Sequence, residues 1–188
     1  MGNVLFLFGI NGVGKSTMAR RLASANHGTV VIGSSAVLRS AFGDVSREQL
    51  ERTSSQEKHA ALRSNLLRIF AMHEQAPLIV CDMHLLVAIR NTDECRYECM
   101  WDDAYRRFAK AYWYIRAEHL TVLHRRLNDI ESGVRFRRAE LSEIAADANA
   151  NARAFVEIFG KSLLARIIHN DGATLGNTNS ALTESLTA

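Results

Sequence analysis

Nine residues near the amino end could do chemistry together: Gly9-Ile10-Asn11-Gly12-Val13-Gly14-Lys15-Ser16-Thr17. Their spacing is G-x-x-x-x-G-K-[ST], a pattern that holds phosphate groups. Gly9, Gly12 and Gly14 permit backbone angles and close approaches that a Cβ would block. The amides of Asn11, Gly12, Val13, Gly14, Lys15, Ser16 and Thr17 can then turn inward around phosphate oxygens. A helix starting near Lys15 would add the partial positive charge of its N-terminus. Lys15 is expected to reach the outer phosphates, and the Ser16 hydroxyl to hold Mg²⁺. The bland alternative is a glycine turn that binds nothing.

The flanking residues argue against that alternative. Val4-Leu5-Phe6-Leu7-Phe8 is an unbroken apolar run, as in a strand buried on both faces. Met18 and Leu22 stand four apart on a helix that follows. Further strands are predicted over 29–32, 78–81, 110–116 and 166–169. Helices are predicted over 36–41, 46–74, 119–128 and 139–159. Ser35 is expected to cap the first of these, and residues 46–49 to form a capping box for the second. Leu62, Leu66, Ile69 and Phe70 should face inward on the second, and Leu120, Leu123 and Leu127 on the third. Gly160 is expected to end the fourth, and a last short helix is read over 181–186. Residues 91–107 read as an excursion with a short helix.

Alternation of strands and helices predicts an α/β fold: a five-stranded parallel sheet with helices on both faces. Ligands bind such sheets beyond the carboxyl ends of the strands. The glycine loop, Gly33-Ser34-Ser35, Asp82-Met83-His84 and Asn170-Asp171-Gly172 all follow strands, so they should meet on one rim.

The 188 residues, 47% hydrophobic and 23% charged, suit one globular domain. A net charge of +3 fits phosphate handling without demanding nucleic acid. No apolar run is long enough to cross a bilayer, and no signal peptide is read at the start. Cys81, Cys95 and Cys99 are an odd set, read as reduced thiols in a cytoplasm. Cys95, Cys99 and His84 lack a second ligand pair at zinc spacing.

Assembled in order, these residues resemble a P-loop nucleoside monophosphate kinase, closest to the archaeal-type adenylate kinases and related small kinases. The resemblance runs over residues 1–188 as a single domain. It implies an acceptor-side segment at about 34–74, a variable insert at about 91–107 and a lid at about 129–138. Gly9 to Thr17 resembles the phosphate loop of that family, with Asn11 where proline is frequent. Val37-Leu38-Arg39 resembles the segment whose arginine grips the acceptor phosphate. Asp82-Met83-His84 and the later Arg90 resemble a strand end and its downstream arginine. His124-Arg125, Asp129, Arg135 and Arg137 resemble the lid. Asn170 and Gly172 resemble the loop beside the adenine. The chain departs from the family at Gly33-Ser34-Ser35, where Gly-Asp is usual, in the spacing of the lid arginines, and over 91–103.

The resemblance implies a kinase that uses ATP and Mg²⁺. Lys15, Arg125, Arg135 and Arg137 would stabilise the moving phosphoryl group, since guanidinium forks bridge phosphate oxygens. Ser35, Arg39, His84 and Arg90 are the acceptor-side candidates. Asp82 has two readings. With a nucleoside monophosphate or modified nucleotide as acceptor, it orients water on Mg²⁺. With a hydroxyl acceptor, on a small molecule or a nucleic-acid base, it serves as general base. Nucleic acid is compatible as acceptor and not required. A nucleotide-dependent switch is the third reading. Trp101 and Tyr105, four apart, read as packed side chains, with stacking on a base as the alternative.

Overall fold

In the computed structural model, residues 2–43, 53–90, 95–133 and 139–170 are described. Strand β1 (Val4–Phe8) is buried at every position, and the layers are built around it. It is followed by helix α1 (Lys15–Ala25), strand β2 (Val30–Gly33) and helix α2 (Ser34–Ala41). Helix α3 (Ser55–Met72) and strand β3 (Ile79–Asp82) come next. Strands β4 (Leu86–Arg90) and β5 (Cys95–Cys99) precede a short 3₁₀ helix (Asp103–Phe108) and strand β6 (Ala109–Arg116). Helices α4 (His119–Glu131) and α5 (Leu141–Phe159) lead to strand β7 (Ala165–His169).

The main sheet has the order β2-β3-β1-β6-β7, and every pairing in it is parallel. This is the five-stranded α/β architecture expected. The chain leaves β1 toward β2 but leaves β3 toward β6, on the other side. The two central strands therefore part company at their carboxyl ends and open a crevice there. Register pairs Leu7 with Asp82, so the glycine loop and Asp82 emerge side by side.

Alternate side chains of β1 enter opposite cores, as the period of a strand requires. Phe6 and Phe8 pack with Phe70, Trp101, Tyr112, Phe155 and Phe159. Leu5 and Leu7 pack with Met18, Leu22, Val80, Trp113 and Val122. Trp101 stands 4.8 Å, centroid to centroid, from Phe159 and edge-on to it, an arrangement that suits the ring quadrupoles. Trp101 and Tyr105 are both buried in this cluster, so the packed reading holds and no ring face is left for a base.

Local outcomes differ from expectation in several places. Helix α2 begins at Ser34, directly after Gly33, with no side-chain cap, so Ser35 lies inside the helix. The capping box expected at 46–49 falls outside the described residues. Helix α3 instead starts behind Ser54, whose Oγ accepts from the Glu57 amide while Glu57 Oε2 accepts from the Ser54 amide. Leu62, Leu66 and Phe70 face inward as predicted. Gly160 follows α5 with a right-handed φ of −59°, so the helix ends without a left-handed glycine cap. The short helix read over 181–186 also lies outside the described residues.

Helix α4 is rolled relative to the leucine pattern. Leu120 is 57% and Leu127 41% exposed, while Val122 and Arg126 are buried. Part of the insert is a strand. β4 and β5 pair antiparallel, from Leu86 opposite Cys99 to Arg90 opposite Cys95. Tyr97 ties this hairpin to α5 through a 3.0 Å hydrogen bond to Asp147. The short helix expected in the insert is the 3₁₀ turn that follows.

Candidate active site

Gly9 and Gly14 show why the loop needs glycine. Gly9 has φ 134°, and a Cβ there would meet the Ile115 carbonyl at 2.4 Å. Gly14 has φ 96°, and a Cβ there would sit 2.3 Å from Nδ2 of Asn170. Neither conformation suits a side chain. Gly14 is also the residue before α1, which has no side-chain cap and no acid in its first turn. The first amides of α1 are thus left for an anion, on the positive end of the helix.

Lys15 is buried, and its ammonium donates to the carbonyls of Gly9 (2.8 Å) and Ile10 (3.2 Å). Asp82 Oδ1 lies 3.8 Å from the same ammonium. Ser16 Oγ donates to Asp82 Oδ2 at 2.5 Å. A hydroxyl and a carboxylate so joined are hard oxygen donors, the type that Mg²⁺ takes together with phosphate oxygens. The glycine cradle and this donor pair fit a Mg²⁺–polyphosphate. Among the described residues no three His, Cys, Asp or Glu side chains gather as a metal-binding group. Cys81 is buried beside Asp82; burial, then the carboxylate charge, pushes its thiol upward, so it stays protonated.

A cleft of about 720 Å³ brings these groups together with the acceptor-side candidates. Asn11, Gly12, Gly14, Lys15, Ser16, Thr17, Asp82, Arg125 and Asn170 line it, and so do Ser35, Arg39 and His84. Val13 is buried beneath the loop. The backbone of Arg90 ends β4 opposite Cys95, four residues beyond the strand's first residue, Leu86. Arg135, Arg137 and Gly172 lie outside the described residues. Of the segment read as a lid, 129–131 complete α4 and Asp129 lines the cleft, while 134–138 lie outside the described residues.

Arg125 is half-buried and donates to the carbonyls of Gly12 (3.2 Å) and Asn170 (3.1 Å). Asn170 is buried, and its Nδ2 donates to Val13 O at 2.7 Å. Sequence reasoning missed Arg126, which donates to Asn11 O from Nε (3.2 Å) and Nη2 (3.0 Å). The leucines of α4 pointed to another face, so the helix's own sequence did not single it out. Arg20 and Arg21 also line the cleft and were passed over, and Ser34 lines it on the rim where Gly33-Ser34-Ser35 was expected.

The family described as an AAA domain matches residues 4–88, which span β1 to β4 and include the loop, α1 and Asp82. No curated protein matches the chain. Among the solved structures that match it are two that do so over nearly its full length. One is the crystal structure of TT1252 from Thermus thermophilus, 18% identical, covering 100% of this chain and 99% of that one, with a TM-score of 0.59. The other is thymidylate kinase from Candida albicans, 15% identical, covering 99% of this chain and 91% of that one, with a TM-score of 0.60. The chain has a P-loop kinase fold. No helix among the described residues is long and apolar enough to cross a membrane.

Proposed function

We propose that the chain transfers the γ-phosphoryl group of ATP to a nucleoside monophosphate or a modified nucleotide. The observation that carries this reading is the Ser16–Asp82 hydrogen bond beside the Lys15 ammonium. Both carboxylate oxygens face the donor side, one toward the hydroxyl and one toward the ammonium. This favours Asp82 as an orienting group for the metal's water over Asp82 as a base for an acceptor hydroxyl. An acceptor phosphate is already anionic and needs no strong base.

In this reading the amides from Asn11 to Thr17 and the Lys15 ammonium hold the triphosphate. Mg²⁺, held through Ser16 with Asp82 behind it, neutralises charge on the outer phosphates when bound. Arg39 grips the acceptor phosphate, and Ser35 and His84 contact the rest of the acceptor. Arg90 belongs to the same acceptor group. Arg125, with Arg135 and Arg137 of a lid at 129–138, stabilises the transferring group and excludes water. Asn170 and Gly172 flank the donor nucleotide. The thymidylate kinase likeness supports a nucleotide acceptor, and the likeness to adenylate kinases of archaeal type remains a reading of motifs. Three free cysteines support a reducing, cytoplasmic setting.

The test is γ-labelled ATP offered to nucleoside monophosphates, nucleosides and DNA in turn. Label in a nucleoside diphosphate is expected. Label in a phosphomonoester of a nucleoside or of DNA overturns the acceptor assignment and restores Asp82 as base. ATP binding with no transfer to any acceptor favours the switch reading.

A further inference from the structure

Every carbonyl of the phosphate loop from Gly9 to Gly14 has a donor. Lys15 takes those of Gly9 and Ile10. Met18 N takes that of Gly14, as the first bond of α1. The three between them are taken from outside the loop: Asn11 O by Arg126, Gly12 O by Arg125 and Val13 O by Asn170. These donors come from α4 and from the residue that follows β7, more than a hundred residues away in sequence.

A peptide plane points its C=O and its following N–H in opposite directions. Tying back the carbonyls of Asn11, Gly12 and Val13 therefore fixes the amides of Gly12, Val13 and Gly14 on the opposite side of their peptide planes from those ties. We propose that Arg126 and Asn170 are positioning residues for the phosphate site. They fix the loop amides before an anion arrives, so their ordering is not charged against binding. The burial of the three donors divides their tasks. Arg126 and Asn170 are 5% and 4% exposed and stay with the loop. Arg125 is half-buried, lines the cleft, and is the one placed to exchange its carbonyls for phosphate oxygens.

This rests on the donor half of the proposed function, that the loop binds a polyphosphate. Inorganic tripolyphosphate is the probe, because it tests the cradle without a base or an acceptor. Calorimetry would compare the wild-type chain with Arg126→Met, Arg126→Lys and Asn170→Ala. Loss of one tie should weaken tripolyphosphate binding by roughly ten- to hundredfold, the scale of small misplacements in a site. Arg126→Lys, which keeps one donor, should recover most of it. A folded Arg126→Met or Asn170→Ala chain that binds as tightly as wild type overturns the proposal.

A measurement on the wild-type chain stands even where the variants do not fold. The Arg126 Nε proton should exchange slowly with solvent both with and without tripolyphosphate, and fast exchange in either state overturns the proposal. A wild-type chain that does not bind tripolyphosphate removes the donor-site reading and this one together. Binding that persists in the folded variants removes only this one.

Discussion

Replacing Gly14 by alanine tests the loop geometry with numbers taken from the structure. At φ 96° any side chain is strained, at a cost of roughly 1–2 kcal/mol. The new Cβ would also stand 2.3 Å from Asn170 Nδ2, which no packed pair tolerates. Asn170 must then leave Val13 O, and a buried acceptor loses its donor, for roughly 1–3 kcal/mol more. The sum is about 2–5 kcal/mol. For a chain of this size each kcal/mol moves the thermal midpoint by about 2–4 °C, so a fall of about 4–20 °C is expected in calorimetry. The collision and the strain separate in a double-mutant cycle. With Asn170→Ala already present, Gly14→Ala should cost only the strain, about 1–2 kcal/mol. An equal cost in both backgrounds, or no cost in either, would refute the contact on which the estimate rests.

Other expectations follow from the same site. Lys15→Ala should keep the fold and lower phosphoryl transfer by about two to three orders of magnitude; steady-state rates within tenfold of wild type would remove the donor site. Ser16→Ala should raise the Mg²⁺ concentration needed for half-maximal rate by about ten- to hundredfold, read by titrating MgCl₂ into the assay, and an unchanged requirement would detach Ser16 from the metal. Arg39→Ala should raise KM for the acceptor by about tenfold and leave KM for ATP unchanged; equal rises in both would place Arg39 elsewhere in the reaction. Alkaline pH should destabilise the chain progressively. Burial raises the Cys81 thiol from its ordinary value near 9, and raises Tyr114 from 10 to about 12. The unfolded chain loses each proton first, so stability is full below about pH 9 and declines above it. Tyr114 alone contributes roughly 3 kcal/mol that is lost between about pH 10 and 12. In urea titrations across pH, Cys81→Ala should lessen the decline that begins near pH 9, where burial also raises the Cys99 thiol, and an unchanged slope there would contradict the Cys81 thiol's part.

The donor loop was legible because its chemistry is local. Glycines, a lysine and a hydroxyl within nine residues describe the backbone, and the apolar run before them identifies the strand. The parallel sheet was legible from alternation, and the inner face of α3 from its four-residue apolar stripe. The roll of α4 was not. Its leucines outnumber its valine, so hydrophobic periodicity pointed Leu120 and Leu127 inward. The helix instead turns Arg126 in, where a guanidinium supplies a donor to a loop carbonyl that is otherwise costly to bury. That preference belongs to a partner a hundred residues away and leaves no mark in the helix's own pattern. β5 was missed for a related reason. In Cys95-Arg96-Tyr97-Glu98-Cys99 the alternation is present but short, and the inward group is a tyrosine that finds a carboxylate on α5.

The two halves of the cleft are held by different means. The loop and Asp82 hang from β1 and β3, strands flanked on both sides within the sheet and buried among aromatic and aliphatic side chains. Every loop carbonyl from Gly9 to Gly14 is tied, so little in the donor half can shift without leaving a polar group unpaired. Ser35 and Arg39, proposed above for the acceptor, sit on α2, an eight-residue helix that follows an edge strand and buries only Ser34. Substitutions at the exposed Ser35 and Arg39 therefore disturb little packing, whereas those in the loop disturb a closed network of bonds. A fold built this way can hold its phosphoryl donor constant while the acceptor pocket changes. On α2 itself the exposed Ser35 lies where change costs least, while burial holds Ser34.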